Sequence, residues 1–516
     1  MGYHYFRTWI FYLLVVLCCA FKCGFGQGMN SHFLLGYSIG LFDTNVVSEK
    51  AILEFDSVGY ILTPASFKMP FLSSQGNLSD ESGNLIMVSN GCWIADATGD
   101  TMLNGGGLLP NGFSSTWCSA YSGIPYPHTS VFLPHPSDSN LVYLIHQSGT
   151  SASNYNSSGL YYTLIDKSLN LGLGGVVAGQ KNQLVFASNL NPGMAVCKHA
   201  NGRDWWIAVL KLNSDSVFVT LLSPSGFSPP TKHSFGFTLN SNYSVGQLNF
   251  SPDGSKFAYT SYTGPWGAVN YYTFLADFDR CTGSFSNAQQ ISFSDPGPGL
   301  GLSFSPDSKK LYVSSYRKIV QLNLDTSNIV ASLDTVAVND GYYSPYPPFQ
   351  ADFWVMTLAA NGKIYISSGS SVIDLHYINY PDSDGMACDV QKHALRLPCY
   401  SARGHAYHPN YYLGCDTTLG CPCLVNTGLT ENGGHDFKAK LSPNPGRVGF
   451  DVLYLLPQNK SGVLSIFDLQ GRLMHREALP PWSTRQNIAA GNWSPGVYQV
   501  IIESDGSRGT WKWVKF

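Results

Sequence analysis

At 516 residues the chain exceeds what one hydrophobic core supports, so it must divide into domains or repeat a smaller unit. Only 12% of its residues are charged, against roughly 25% in an average globular protein, which leaves a surface that is polar without being ionic. A formal net charge of −3 lacks the basic excess of a nucleic-acid binder and speaks against nucleic acid as a partner.

Residues 1–26 read as a secretory signal: Arg7 stands in a short n-region, Trp9 to Ala20 form an apolar stretch, and Gly24 and Gly26 are the small residues before Gln27. The stretch is shorter than the ~20 residues that span a bilayer, and no later segment is long and apolar enough, so the mature chain is expected to carry no transmembrane segment. Of 12 cysteines, Cys18, Cys19 and Cys23 leave with the signal, and nine remain where disulfides are permitted. Cys388 with Cys399, and Cys415 with Cys421 or Cys423, are expected to bridge; Cys92, Cys118, Cys197 and Cys281 are either free or paired across the fold. No fourth ligand accompanies Cys415, Cys421 and Cys423, so no metal is expected.

Gly36-Tyr37-Ser38-Ile39-Gly40 matches the G-x-S-x-G pattern of a hydrolase elbow, but that motif needs a strand-turn-helix setting that the neighbouring residues do not supply. From there on the chain repeats. Asn84 to Asp96, Asn140 to Asp166 and Asn201 to Val209 share one cadence, a hairpin followed by a third strand. Three clearer copies follow 54 residues apart, at Leu248, Leu302 and Met356. In the first, Leu248 and Phe250 alternate with polar residues, Ser251-Pro252-Asp253-Gly254 turns, and Phe257 and Tyr259 alternate again. Asp253 and Asp307, with Asp279 and Asp325 at strand ends, recur at the spacing of the repeat. They read as turn and capping groups rather than calcium ligands.

Six such units, with Phe33 to Thr63 and Leu395 to Leu413 able to supply a shared closing blade, predict an all-β fold. It is a six- or seven-bladed β-propeller over 27–413, because radial repetition protects sheet edges. The S-P-D-G hairpins resemble the WD-type, PD-repeat-like propeller repeats of bacterial secreted and periplasmic proteins. His405 and His408 would suit a metal only on a helix, which Pro409 opposes. Loop aromatics Tyr121, Tyr126, Tyr342, Tyr343, Tyr346 and Phe349 are the candidate ligand-binding residues, since Tyr and Phe offer rigid contact area to a glycan or protein. No catalytic constellation and no cofactor are implied.

Residues 414–436, rich in Gly, Thr, Asn and Cys, read as a linker, and 437–516 carry six or seven short strands expected to form an Ig-like β-sandwich. The motifs of this segment are Ser442-Pro443-Asn444-Pro445, the Asp468 to Gly471 turn, Pro495-Gly496-Val497-Tyr498, and a basic, apolar end at Lys515-Phe516. Together they closely resemble the C-terminal sorting domain of Bacteroidetes type IX secretion cargo. The resemblance implies the type IX machinery as partner, export through the N-terminal signal and then this tail, and a secreted or outer-membrane surface location. Two alternatives to a binding propeller stay open: a hydrolase or lyase with an axial site, and a structural component of the surface or motility apparatus.

Overall fold

The computed structural model describes residues 28–37, 48–55, 59–81, 83–120, 123–151, 154–237, 246–345, 349–424, 439–456, 460–468, 470–480, 483–504 and 507–516. They fall into two compact units, one within 28–424 and one within 439–516. Residues 1–26, expected to be a signal, Ser38 of the G-x-S-x-G motif, Tyr121 and Tyr346 lie outside the described residues.

Among its described residues the larger unit is all-β apart from one α-helix and short 3-10 turns. Its antiparallel sheets cover 32–65, 76–96, 130–190, 195–234, 248–295, 302–338 and 356–401 in sequence order. The first strand of each touches the first strand of the next along most of the series: His32–Leu35 with Gly76–Ser79, Gly76–Ser79 with Ser130–Pro134, and Ala195–Lys198 through Leu248–Phe250 and Leu302–Phe304 to Met356–Leu358. The Met194 amide, which donates to the His128 carbonyl, joins the third sheet to the fourth. Phe33, packed with Ala359 and Tyr365, joins the last sheet back to the first.

Sheets stacked this way are covered on both faces, which explains why their middle strands read as apolar runs. Phe257 and Tyr259 pack against Ala208 and Val217 of the preceding sheet, whereas Ala258 between them packs with Leu302 and Leu311 of the following one. The repeated turns agree down to individual hydrogen bonds. Asp253 Oδ1 accepts from Ser251 Oγ at 2.5 Å and the Ser255 amide at 2.9 Å; Asp307 Oδ1 accepts from Ser305 Oγ at 2.6 Å and the Lys309 amide at 3.0 Å. Gly254 takes the left-handed conformation, φ 73°, that Ser308 adopts in the next copy. The aspartates are turn punctuation.

Three sequence expectations change. The segments around Phe33 and Leu395 do not share a closing sheet: 32–65 is a sheet of its own, and Val390–Ser401 pairs with Val372–Ile378. Cys388 and Cys399 are not bridged but free and buried, because the interval between them is a continuous strand that advances roughly 3.3 Å per residue and so carries them far apart. The disulfides are Cys92–Cys118, Cys281–Cys421 and Cys415–Cys423. Finally, residues 112–120 form a helix that apolar periodicity did not reveal. It is capped by Asn111, whose Oδ1 accepts from the Ser114 amide at 2.8 Å, and tied down by Cys118.

In the smaller unit, the sheet of Ala439–Ser442, Gly449–Tyr454 and Arg485–Ala489 and the sheet of Leu473–Leu479, Gly462–Asp468, Gly496–Ser504 and Ser507–Lys515 share one core. Phe450, Val452, Leu464, Ile466, Val500 and Trp513 fill it, with Trp513 stacked on Phe450 at 4.2 Å.

Candidate functional site

The first strands of the sheets enclose a segment of their own chain. Residues 402–416 leave the last sheet and run past the first strands of the first four sheets, bonding or packing with each. The His405 ring stacks on Phe33 at 5.1 Å, His408 Nε2 meets Asn77 Oδ1 at 2.8 Å, the Val196 amide donates to Tyr407 Oη at 2.8 Å, and Tyr411 Oη donates to the Phe132 carbonyl at 2.9 Å. Farther along, Asn410 Nδ2 donates to the Pro252 carbonyl, and the Asp416 amide to the Ala200 carbonyl. Beside this segment Gln247 uses its whole amide: Oε1 accepts from the Leu302 and Met356 amides, and Nε2 donates to the Met356 carbonyl and His128 Nε2. His128 Nδ1 faces the Leu248 carbonyl and therefore carries the ring proton, leaving Nε2 to accept.

An axial active site would need polar groups open to a substrate. Here they face one another. His405 is 1% exposed and neither ring nitrogen bonds within the protein. Burial pushes His405 and His408 down to about 3, so both are neutral and unfit for acid-base work near neutral pH.

The end of the segment is locked. Arg280 donates to the Lys198 carbonyl at 2.9 Å and to the Gly414 carbonyl at 2.7 Å, Cys281–Cys421 crosses beside it, and the Leu424 amide donates to the Asn201 carbonyl. Residues 414–424 are thus bonded to the larger unit.

Chemistry open to solvent lies on the loops. Of the candidate aromatics, Tyr126 is buried and stacks on Phe113 at 5.7 Å beside the Cys92–Cys118 bridge, so it builds the loop and offers no surface. Tyr342 stacks on His393 at 4.1 Å. Next to it, burial would raise the Asp340 carboxyl, but bonds from Lys392 and His393 outweigh it and hold the group at about 2. Tyr343 is 58% exposed and Phe349 44%.

The structure adds residues that the sequence pattern did not single out. Trp266, 68% exposed, stands in the turn between Lys256–Thr263 and Val269–Asp279, with its ring 5.0 Å from that of Tyr316. Tyr316 Oη donates to Gln350 Oε1 at 2.6 Å, and Gln350 Nε2 to Asn339 Oδ1 at 3.0 Å. Tyr343 pairs with Gln350 through the backbone. The three rings come from three loops, so no local spacing signalled Trp266 and Tyr316 beside Tyr343. The one available cue was Trp266 in a Gly-Pro-Trp-Gly turn, where a bulky apolar residue has no core to fill.

Below this cluster lies Asp352, whose Oδ1 accepts from the Gly369 amide at 2.7 Å. Burial pushes its carboxyl up to about 6 against that bond. A raised folded-state value means stability that is present below pH 3.8 and lost as pH rises through 6. Asp352→Asn is therefore expected to stabilise the protein by about 1–3 kcal/mol at pH 8 and to change little at pH 4. Denaturant midpoints at the two pH values check this, and equal effects at both would contradict it.

In the smaller unit the first and last of the sequence motifs fasten the final strand, and the two between them close turns. Asn444 acts as a partner strand in miniature: its Nδ2 donates to the Lys512 carbonyl at 2.6 Å and its Oδ1 accepts from the Val514 amide at 3.0 Å. The Pro443 carbonyl accepts from Trp513 Nε1 at 2.9 Å. Asp468 Oδ1 accepts from the Gln470 and Arg472 amides to form the turn at Gly471, φ 78°. Tyr498 Oη donates to the Ser494 carbonyl, and Lys515 Nζ donates to the carbonyls of Ala490, Gly491 and Trp493.

Residues 440–515 match the family of secretion system C-terminal sorting domains. No curated protein matches the chain. Among solved structures, it is similar to a functionally unknown protein from Desulfotomaculum acetoxidans at 13% identity and a TM-score of 0.36, covering 73% of this chain and 99% of that one. It is also similar to the extracellular domain of a hybrid two-component system from B. thetaiotaomicron at 11% identity and a TM-score of 0.27, covering 90% and 62%. A third is the Nup133 β-propeller domain of Vanderwaltozyma polyspora, at 11% identity and a TM-score of 0.26, covering 54% and 87%. Superpositions this loose carry no argument about function. The sorting domain implies a meeting with the type IX secretion machinery and a secreted or cell-surface destination. No helix among the described residues is long and apolar enough to cross a membrane.

Proposed function

We propose that the chain is a secreted or cell-surface binding protein: a seven-bladed β-propeller over 27–413 presents a ligand face on its loops, and an Ig-like sandwich over 437–516 serves as the address for type IX export after entry by the signal at 1–26. The observation that carries the export half is the sorting-domain match at 440–515. The binding half rests on the central segment. With His405, Tyr407, His408 and Tyr411 occupying the middle of the sheets, the exposed aromatic groups of the loops remain as the means of recognising an extracellular glycan or protein. The same occupancy weighs against a hydrolase or lyase acting on the axis. We place the linker beyond Leu424, since 414–424 is bonded to the larger unit.

Deleting 437–516 is expected to retain the protein in the periplasm, read by fractionation and immunoblotting of cells and medium. Undiminished appearance of the truncated chain in the medium or on the surface would refute the export reading.

A further inference from the structure

Hairpin loops of two neighbouring sheets and the connection from the second to the next build a preorganised aromatic ridge, and we propose that Trp266, Tyr316 and Tyr343 bind the sugar rings of an extracellular polysaccharide. The inference rests on the reading of the larger unit as a binding module and names its ligand class.

Rigidity is the first argument. Trp266 stands in a turn closed by the Ala268 amide on the Pro265 carbonyl at 3.0 Å, and its ring meets Tyr316 at an interplanar angle of 66°. Tyr316 lies so close over Gly297 that a Cβ there would come within 2.7 Å of the ring, and its hydroxyl donates to the Gln350 amide, which in turn donates to Asn339. Ordering such rings costs a ligand little, so their exposed area is available for affinity.

Chemistry is the second. The exposed faces of an indole and a phenol suit the C–H faces of pyranose rings, and the bordering hydroxyls and amides suit their hydroxyl groups. Nearby ionic groups are mostly engaged within the protein: Asp340 with Lys392 and His393, and Lys318 over the Phe293 ring at 5.1 Å. Arg317 adds one exposed donor beside Tyr316. A weakly charged, amide-edged aromatic ridge fits a hydroxyl-rich chain better than a charged peptide.

The test uses the mature full chain against insoluble cellulose, chitin and xylan and soluble pectate, by pull-down and affinity electrophoresis. Retention by at least one polysaccharide is expected, with affinity falling about tenfold in Trp266→Ala and again in Tyr343→Ala. Both side chains are exposed, so thermal unfolding should be unchanged in these variants. Retention by none of the four, or retention that both substitutions leave intact, overturns the inference. If no polysaccharide binds but an extracellular protein is captured through the larger unit, this inference falls while the binding-module reading stands.

Discussion

Lowering the pH from 7 to 4.5 is expected to unfold the larger unit and to spare the smaller one. Five histidines of the larger unit, four of them buried and His408 half-buried between the rings of Phe33 and Tyr411, are held as neutral rings: loss of solvent pushes His128 down to about 4 and His146, His376, His405 and His408 to about 3. An unfolded histidine titrates near 6.5, so each contributes stability that is present above pH 6.5 and is lost as pH falls toward 3–4. At pH 4.5 each withdraws about 2–3 kcal/mol. Five together reach the scale of a whole domain's stability, about 5–15 kcal/mol. Three of the five, His128, His405 and His408, lie in or against the central segment, where the incoming charge finds no carboxylate. Among its described residues the smaller unit buries no histidine. Calorimetry across this range should show one transition that falls steeply with acid and one that barely moves. A larger unit that melts at the same temperature at pH 7 and pH 4.5 would contradict the assignment.

Tyr411→Ala is expected to cost the larger unit about 3–5 kcal/mol. The ring is 5% exposed, lies 6.0 Å from that of Trp205, and anchors the central segment to the strand Ser130–Pro134 through the Phe132 carbonyl. Tyr411→Phe, which keeps the ring and loses the bond, should cost only about 1–2 kcal/mol, including the carbonyl left without its donor. Denaturant midpoints of the two variants separate packing from hydrogen bonding. A loss below 1 kcal/mol for the alanine would mean that the segment is a strap laid over a ring that is stable without it. Because Cys415–Cys423 and Cys281–Cys421 fasten the end of the segment, the measurement belongs under oxidising conditions.

The repeat and the tail were legible because both are written in local chemistry. Asp253 and Asp307 close identical turns through bonds to residues two positions away, so their roles follow from Ser-Pro-Asp and Gly or Ser alone. Strand alternation around Leu248, Leu302 and Met356 is likewise a property of a few consecutive residues. In the tail, Asn444, Asp468, Tyr498 and Lys515 are motif residues in the sequence, and each makes a specific hydrogen bond in the structure.

The disulfides and the site were not legible in this way. Cys281 meets Cys421 across a separation of 140 residues, while Cys388 and Cys399, 11 positions apart, never meet, because a strand lies between them and not a turn. The spacing of His405 and His408 did not show that His405 is a core residue, since only the closing of the sheets decides what surrounds residues 402–416. Trp266, Tyr316 and Tyr343 come together from three loops, and two of them attracted no attention as isolated letters.

The sequence by itself determined the all-β character, the turn chemistry of the repeat and the export address of the tail, since each depends on contacts within a few residues or on an ordered set of motifs. Only the tertiary structure decided the number and closure of the sheets, the cysteine pairing, the filling of the centre and the place of the exposed aromatics. Each of those depends on residues tens to hundreds of positions apart, brought together by burial of apolar area that carries no positional label in the sequence.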